Sequence, residues 1–130
     1  VIANGDIVDT ATARTALDQS GSDGVMIGRG AQGKPWLLAQ IAHDIYDTGA
    51  PTIPTGPAFA DLVAEHYEAM LRFYGETLGH RVSRKHLGWY MDTCGTPADL
   101  RRAVLTAKTV HETQGLIAQA MQRAPELAAA

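Results

Sequence analysis

The strongest constraint in this sequence is a pair of short apolar runs, each followed by a helix-forming stretch, that together cannot make a complete sheet. Val1-Ile2-Ala3 runs into the turn-forming triplet Asn4-Gly5-Asp6. Asp9 or Thr10 then suits the cap of a helix through Gln19, with Ala13, Ala16 and Leu17 on one stripe and Gly21 as its stop. Gly24-Val25-Met26-Ile27 is the second apolar run, ended by Gly28-Arg29-Gly30, and Pro35 opens a helix bearing Leu37, Leu38, Ile41 and Ile45. Strand, helix, strand, helix is the repeat of a parallel sheet with crossover helices. Two strands close neither a barrel nor a two-sided sheet, so residues 1–48 read as the last part of a larger α/β domain. The start without methionine, directly in a core-like strand, agrees with a truncated or processed product.

Thr48 to Pro57 reads TGAPTIPTGP, whose three prolines and two glycines cannot continue a helix; a linker is expected over 49–57. Beyond it, over 58–130, the pattern is helical. Phe59, Leu62, Val63, His66, Tyr67, Met70, Leu71 and Tyr74 keep 3-and-4 spacing, and Gly79 is expected to stop that helix. A shorter helix is expected from Val82 to Asp92. Thr96-Pro97 reads as the cap and first position of a third, with Leu100, Val104 and Leu105 on its stripe. A fourth uses Leu116, Ile117, Ala120 and Met121, ahead of an Ala-rich tail expected to fray. The fold class expected is mainly α with a small α/β part, ending in a four-helix bundle.

Charge divides the chain at a similar place. The net −3 conceals nine acidic against three basic residues in 1–70, and seven basic against three acidic in 71–110. A single cysteine among 130 residues excludes a disulfide scaffold and a Cys-only metal cluster. His66, His86 and His111 are too scattered for metal ligation. No apolar run approaches a membrane span and no signal peptide is written at the start, so the chain reads as a soluble cytoplasmic protein.

Asn4-Gly5-Asp6 and Gly28-Arg29-Gly30 both follow a strand's C-terminal end, which is the ligand-binding end in parallel sheets and barrels. Glycines let backbone N–H groups converge on an anion, and Arg29 adds a charged fork, so phosphate is the natural guest. In a (β/α)8 barrel, the loops after the last two strands are the usual phosphate site. Further along, Arg81, Arg84 and Lys85 stand at i, i+3 and i+4 on one helix face, with Arg81 expected near the helix start. Crowded cations repel, and RNA phosphate would relieve the repulsion. Arg101 and Arg102 are expected to extend the patch. The competing reading is a solvated face paired with Glu76 or Asp92. Trp89 and Tyr90 read as core anchors rather than stacking platforms.

VIANGDI, DGVMIGRGAQGKPWL and HYEAMLRFYGETLGHRVSRKHLGWYM, in this order, resemble the C-terminal part of bacterial tRNA-dihydrouridine synthases, B-type subfamily. The resemblance implies a fold that ends a TIM barrel with its last two βα units and adds a helical domain. It also implies FMN as cofactor, NADPH as reductant, and reduction of uridine to dihydrouridine in the D-loop of tRNA. Asn4, Gly5, Asp6, Gly28 and Arg29 match the family's FMN phosphate and ribityl residues; Arg81, Arg84, Lys85, Arg101 and Arg102 fall in its tRNA-binding domain. The family's catalytic cysteine lies on an upstream barrel loop. Cys94, between two expected helices, reads as a packing residue, and the chain alone is expected to be inactive. The alternative function is a helical protein-interaction or regulatory module. The exposed barrel strands are expected to favour self-association.

Overall fold

The computed structural model describes residues 1–129, which fall into two compact units, Val1–Ile53 and Pro54 onward. In the first, β1 (Ile2–Asn4) and β2 (Gly24–Met26) pair in parallel, with Ala3 opposite Val25 and Asn4 opposite Met26. Between them runs α1 (Thr10–Ser20). Asp9 is its cap: the Asp9 carboxylate accepts from the Thr12 N–H at 2.7 Å, and the Thr12 hydroxyl accepts from the Asp9 N–H at 3.1 Å. Gly21, left-handed at φ 65°, stops it, as the sequence implies.

After β2 come a single 3₁₀ turn (Arg29–Ala31) and α2 (Leu37–Tyr46). Pro35 does not open α2; the helix starts two residues later, because Lys34 to Trp36 are still turning. Ile7, Ala13, Leu37 and Ile41 form the buried core of this unit, with Val25, Ile27 and Ile45 packed on it. One face of the two-stranded sheet is thus covered by helices. On the other, Ile2 and Met26 are 61% and 53% exposed.

The second unit holds α3 (Gly56–Tyr74), α4 (Glu76–Cys94), α5 (Ala98–Thr106), α6 (Val110–Ala120) and the short α7 (Pro125–Ala129). Phe59, Val63 and Tyr67 on α3, Leu87 and Met91 on α4, Val104 on α5 and Ile117 on α6 supply its buried core. The helix boundaries correct the sequence reading in several places. Helix α3 begins inside the expected linker, at Gly56, whose N–H donates to the Arg123 carbonyl at 2.6 Å. The helix breaks at Gly75 (φ 83°, ψ 161°), not at Gly79.

Gly79 lies inside α4 and is buried. A Cβ there would stand 2.8 Å from the Met70 carbonyl oxygen and 2.9 Å from the Leu71 Cα, so its glycine serves the close approach of α3 and α4. Because α4 starts at Glu76, it runs for 19 residues rather than from Val82 to Asp92.

Thr96 does not cap α5. Its hydroxyl donates to the Ala120 carbonyl at 2.6 Å, and Pro97 stands at the cap without a side-chain bond. Helix α6 has a full capping box, Thr109 with Glu112. The Ala-rich tail includes the short helix α7; its final residue, Ala130, lies outside the described residues.

Candidate functional site

In the first unit, parallel pairing delivers both glycine loops to the same end of the sheet. The Arg29 guanidinium then bridges them, its Nη2 donating to the Asp6 Oδ1 at 3.1 Å. Both side chains are exposed, so the pair orders the loops weakly and either group remains open to a ligand. Asp6 holds φ 47° and Gly5 φ 134°, a left-handed turn that lets β1 end abruptly below the loop.

The two loops also touch through Gly30, which the sequence reads as part of the anion-binding glycine loop and which also makes a packing contact. A Cβ on Gly30 would lie 2.2 Å from the Ile7 carbonyl oxygen and 3.1 Å from the Val8 Cα. By contrast, Gly28 and Gly5 face open space, with nothing within 4 Å of an added Cβ. Their missing side chains leave room at the loops without filling a contact inside the chain. An open apolar cleft of about 460 Å³ lies elsewhere, along β2 and α2, lined by Val25, Met26, Leu38 and Tyr46.

Helix α2 is tied to α1 by Asp44, which accepts from the Thr10 hydroxyl at 2.5 Å and from Gln40 at 3.0 Å; Arg14 donates to the Asp44 carbonyl at 2.6 Å. The Thr10 hydrogen bond, above all, holds the Asp44 carboxyl below its usual range. His43 instead meets the Thr48 carbonyl.

In the second unit, Arg81, Arg84 and Lys85 are all exposed on α4 and take part in no ion pair among the described residues. Arg81 is not near the helix start: α4 begins five residues earlier, with Glu76 in its favourable first turn. Arg102 is exposed as well, on α5.

Arg101 is a different case. Its Nη1 donates to the Asp92 Oδ1 at 2.6 Å and to the Gly88 carbonyl at 2.9 Å. Arg101 therefore ties α5 to α4 and is half-buried, while Asp92, a possible partner for the α4 cations, is taken. The basic face thus consists of Arg81, Arg84 and Lys85, with Arg102 on the neighbouring helix.

Behind this face lies a cluster of rings. His66 and His86 stand 5.0 Å apart by ring centroids, His86 and Trp89 likewise, and the Tyr90 hydroxyl shares a hydrogen bond with His66 Nδ1 at 2.9 Å. Burial lowers the pKa of both histidines, with the neighbouring imidazole adding to the effect at His66; burial pushes Tyr90 up to about 12. Tyr90 is buried and Trp89 half-buried, so both anchor packing. A second relay joins Tyr67 to His80 Nδ1 at 2.9 Å, and His80 Nε2 to the Ala107 carbonyl at 3.0 Å, fixing the turn between α5 and α6.

Cys94 is the last residue of α4 and is buried. Its thiol contacts the Thr96 hydroxyl at 3.1 Å and the Ala120 carbonyl at 3.4 Å, a packing position between α4 and α6. No group of three or more metal-ligating side chains occurs among the described residues, and no helix there is long and apolar enough to cross a membrane.

The model of the dihydrouridine synthase family matches residues 1–126. The chain belongs to the dihydrouridine synthase family. It is 56% identical to a probable tRNA-dihydrouridine synthase of Rhodobacter capsulatus over 112 residues, covering 85% of this chain and 35% of that protein. It is 46% identical to tRNA-dihydrouridine synthase B of Xanthomonas campestris over 110 residues, 84% of this chain and 33% of that one. A probable tRNA-dihydrouridine synthase of Mycobacterium tuberculosis is 38% identical over 117 residues, 90% and 30% of the two chains. This dihydrouridine synthase chain therefore spans about a third of the length of the curated relatives it matches.

Proposed function

We propose that this chain supplies the closing βα units of an FMN-binding barrel and a tRNA-binding helical unit to a B-type tRNA-dihydrouridine synthase that reduces uridine in the D-loop. The observation that carries the reading is the convergence of two glycine loops at the C-terminal end of parallel strands, tied by Arg29 and Asp6. In barrels, that position after the last strands is where phosphate is held. The uncovered sheet face with Ile2 and Met26 supports it too, since parallel sheets are normally covered on both faces. The same exposed strands would carry any self-association of the isolated chain.

The loops fit the cofactor. Gly28 and Gly5 leave open space where a Cβ would otherwise stand, so a phosphate can approach the backbone. Arg29 supplies a forked donor to phosphate oxygens. Asn4 and the Asp6 carboxylate suit the ribityl hydroxyls, and Asp6 orients Arg29. FMN, held by Asn4, Gly5, Asp6, Gly28 and Arg29, would supply the redox chemistry between NADPH and the uracil ring. The residues of this chain would hold and orient; Cys94, buried in helix packing, is not placed to donate a proton to the uracil.

On α4, Arg81, Arg84 and Lys85, with Arg102 nearby, would neutralise tRNA phosphates, a backbone-directed mode suited to a folded RNA. Two measurements test the proposal. The enzyme containing this chain should purify with flavin and form dihydrouridine in tRNA with NADPH; a colourless protein that leaves tRNA unreduced overturns it. The purified chain should bind tRNA with an affinity that falls as salt rises; no binding at low salt favours a helical module that acts through protein contacts.

A further inference from the structure

At the elbow joining α3 and α4, the chain exposes an aromatic pair that packing does not explain. Phe73 is 81% exposed and Tyr74 45%, their rings edge-to-face at 4.8 Å, and Leu78, on the first turn of α4, is 45% exposed. Gly75 (φ 83°) makes the turn between them. Among the Phe, Tyr and Trp rings of the second unit Phe73 is the most exposed, whereas Phe59, Tyr67 and Tyr90 are all buried. Phe73, Tyr74 and Leu78 together make an exposed apolar edge on the helical hairpin that a partner's flat, apolar face can meet.

The charge around the elbow says what kind of partner. From Arg72 to Lys85 stand Arg72, Arg81, Arg84 and Lys85 against a single acid, Glu76, which the N-terminus of α4 compensates. Arg72 is only loosely held, at 3.8 Å from Glu68 with both side chains exposed. Leu78, Arg81 and Lys85 follow at i, i+3 and i+7, so the apolar elbow continues into the basic ridge on one face of α4. Cations and exposed rings on one helical hairpin match a nucleic acid, whose phosphates meet the ridge while a base meets the ring.

We propose that Phe73, with Tyr74 bracing it, is a stacking platform for one unpaired base of the bound RNA, while the α4 ridge holds the flanking phosphates. This rests on the RNA-binding reading of α4 and adds the kind of RNA it needs: a folded RNA with a base turned out of its stack, not a continuous duplex.

The test measures binding of the purified protein to an unmodified tRNA transcript by fluorescence anisotropy at several salt concentrations, for Phe73→Ala, Phe73→Leu, Phe73→Tyr and Lys85→Ala. Loss of a stacked base weakens binding by roughly tenfold. Phe73→Ala and Phe73→Leu should both show it with an unchanged salt slope, Phe73→Tyr should bind within about twofold of the parent, and Lys85→Ala should reduce the slope by about one. Thermal melts of the Phe73 variants should match the parent, because the side chain is exposed.

A Phe73→Leu protein that binds as the parent does would overturn the platform, since leucine keeps apolar area without a π face. So would Phe73→Ala within twofold of the parent, including a case where it only alters the oligomeric state by light scattering, which would assign the elbow to a second copy. If binding is absent at low salt, or if Lys85→Ala and the parent share one slope, the RNA-binding reading itself falls and takes the platform with it.

Discussion

Gly79 of α4 sits against the backbone of Leu71 on α3, so close that a Cβ would stand 2.9 Å from the Leu71 Cα. Gly79→Ala should therefore destabilise the second unit although alanine is the better helix former. Overpacking against rigid backbone costs about 1–3 kcal/mol, and the gain in helix propensity offsets up to about 1 kcal/mol. A net loss of up to about 2 kcal/mol in urea unfolding is expected. An Ala variant as stable as the parent would mean that the two helices separate freely.

Gly30 makes the corresponding contact between the two loops of the first unit, with a Cβ only 2.2 Å from the Ile7 carbonyl oxygen. Gly30→Ala must push the loops apart. In the full enzyme it should lower flavin retention at least as much as Arg29→Ala, without removing any group that reaches the cofactor. Flavin absorbance per protein after gel filtration measures this, and undiminished flavin in the Gly30→Ala enzyme would contradict it.

Arg101 and the α4 cations should separate cleanly by readout. Arg101→Ala breaks the Asp92 and Gly88 bonds and should cost about 1 kcal/mol of stability, the modest value a partly exposed pair allows. Arg84→Ala with Lys85→Ala should leave stability nearly unchanged while flattening the salt dependence of tRNA binding by about two phosphates' worth. Chemical unfolding and salt-titrated binding on the same variants decide between the two roles.

The His66 and His86 pair makes stability sensitive to mild acid. Both folded-state pKa values lie below the ordinary 6.5, chiefly because burial disfavours the imidazolium. A depressed imidazole pKa means the unfolded chain binds protons first as pH falls, so stability is full above about 6.5 and declines toward the folded-state values. Asp92 and Lys85 on α4 and Glu65 on α3 are exposed charges near these rings in sequence, but the other ring faces meeting His66 and His86 belong to Tyr90 and Trp89. His86→Gln should reduce the loss of stability between pH 7.5 and 5.5; an identical pH profile would place the sensitivity elsewhere.

Helix α6 depends on its capping box. The Glu112 N–H meets the Thr109 hydroxyl at 3.1 Å, and the Glu112 carboxylate accepts from the Lys108 N–H at 2.9 Å. Thr109→Ala should cost about 1 kcal/mol. The backbone bonds from Lys108 and Thr109 hold the Glu112 carboxyl below its usual range, so its contribution is present above the unfolded value and lost as acid protonates it. Carboxyl titration by NMR reads the direction of that shift.

Much of this was legible because it is local. A cap at Asp9 or Thr10, which the structure places at Asp9, and Gly21 as a stop depend on residues three or four positions away. The stripe from Phe59 to Met70 is a periodicity, and the structure buries Phe59, Val63, Tyr67 and Met70 together. Gly79 misled because a glycine that ends a helix and one that admits a neighbouring helix are the same letter. Thr96-Pro97 misled because a threonine before proline suits a cap, whereas here its hydroxyl is taken by Ala120, 24 residues away. Arg101 looked like its neighbour Arg102 for the same reason: adjacency in sequence hides that one points at α4 and the other at solvent.

By itself the sequence determined the alternation of strands and helices, the division of charge, and the set of residue types able to hold an anion, since these follow from propensity, period and composition. Tertiary structure alone decided which of those residues meet. It brought Arg29 to Asp6 across 23 residues, diverted Arg101 to Asp92, and left Phe73 exposed at the end of α3. The physical reason is that a side chain's role depends on its surroundings, and burial and partners are set by the packing of segments distant in sequence.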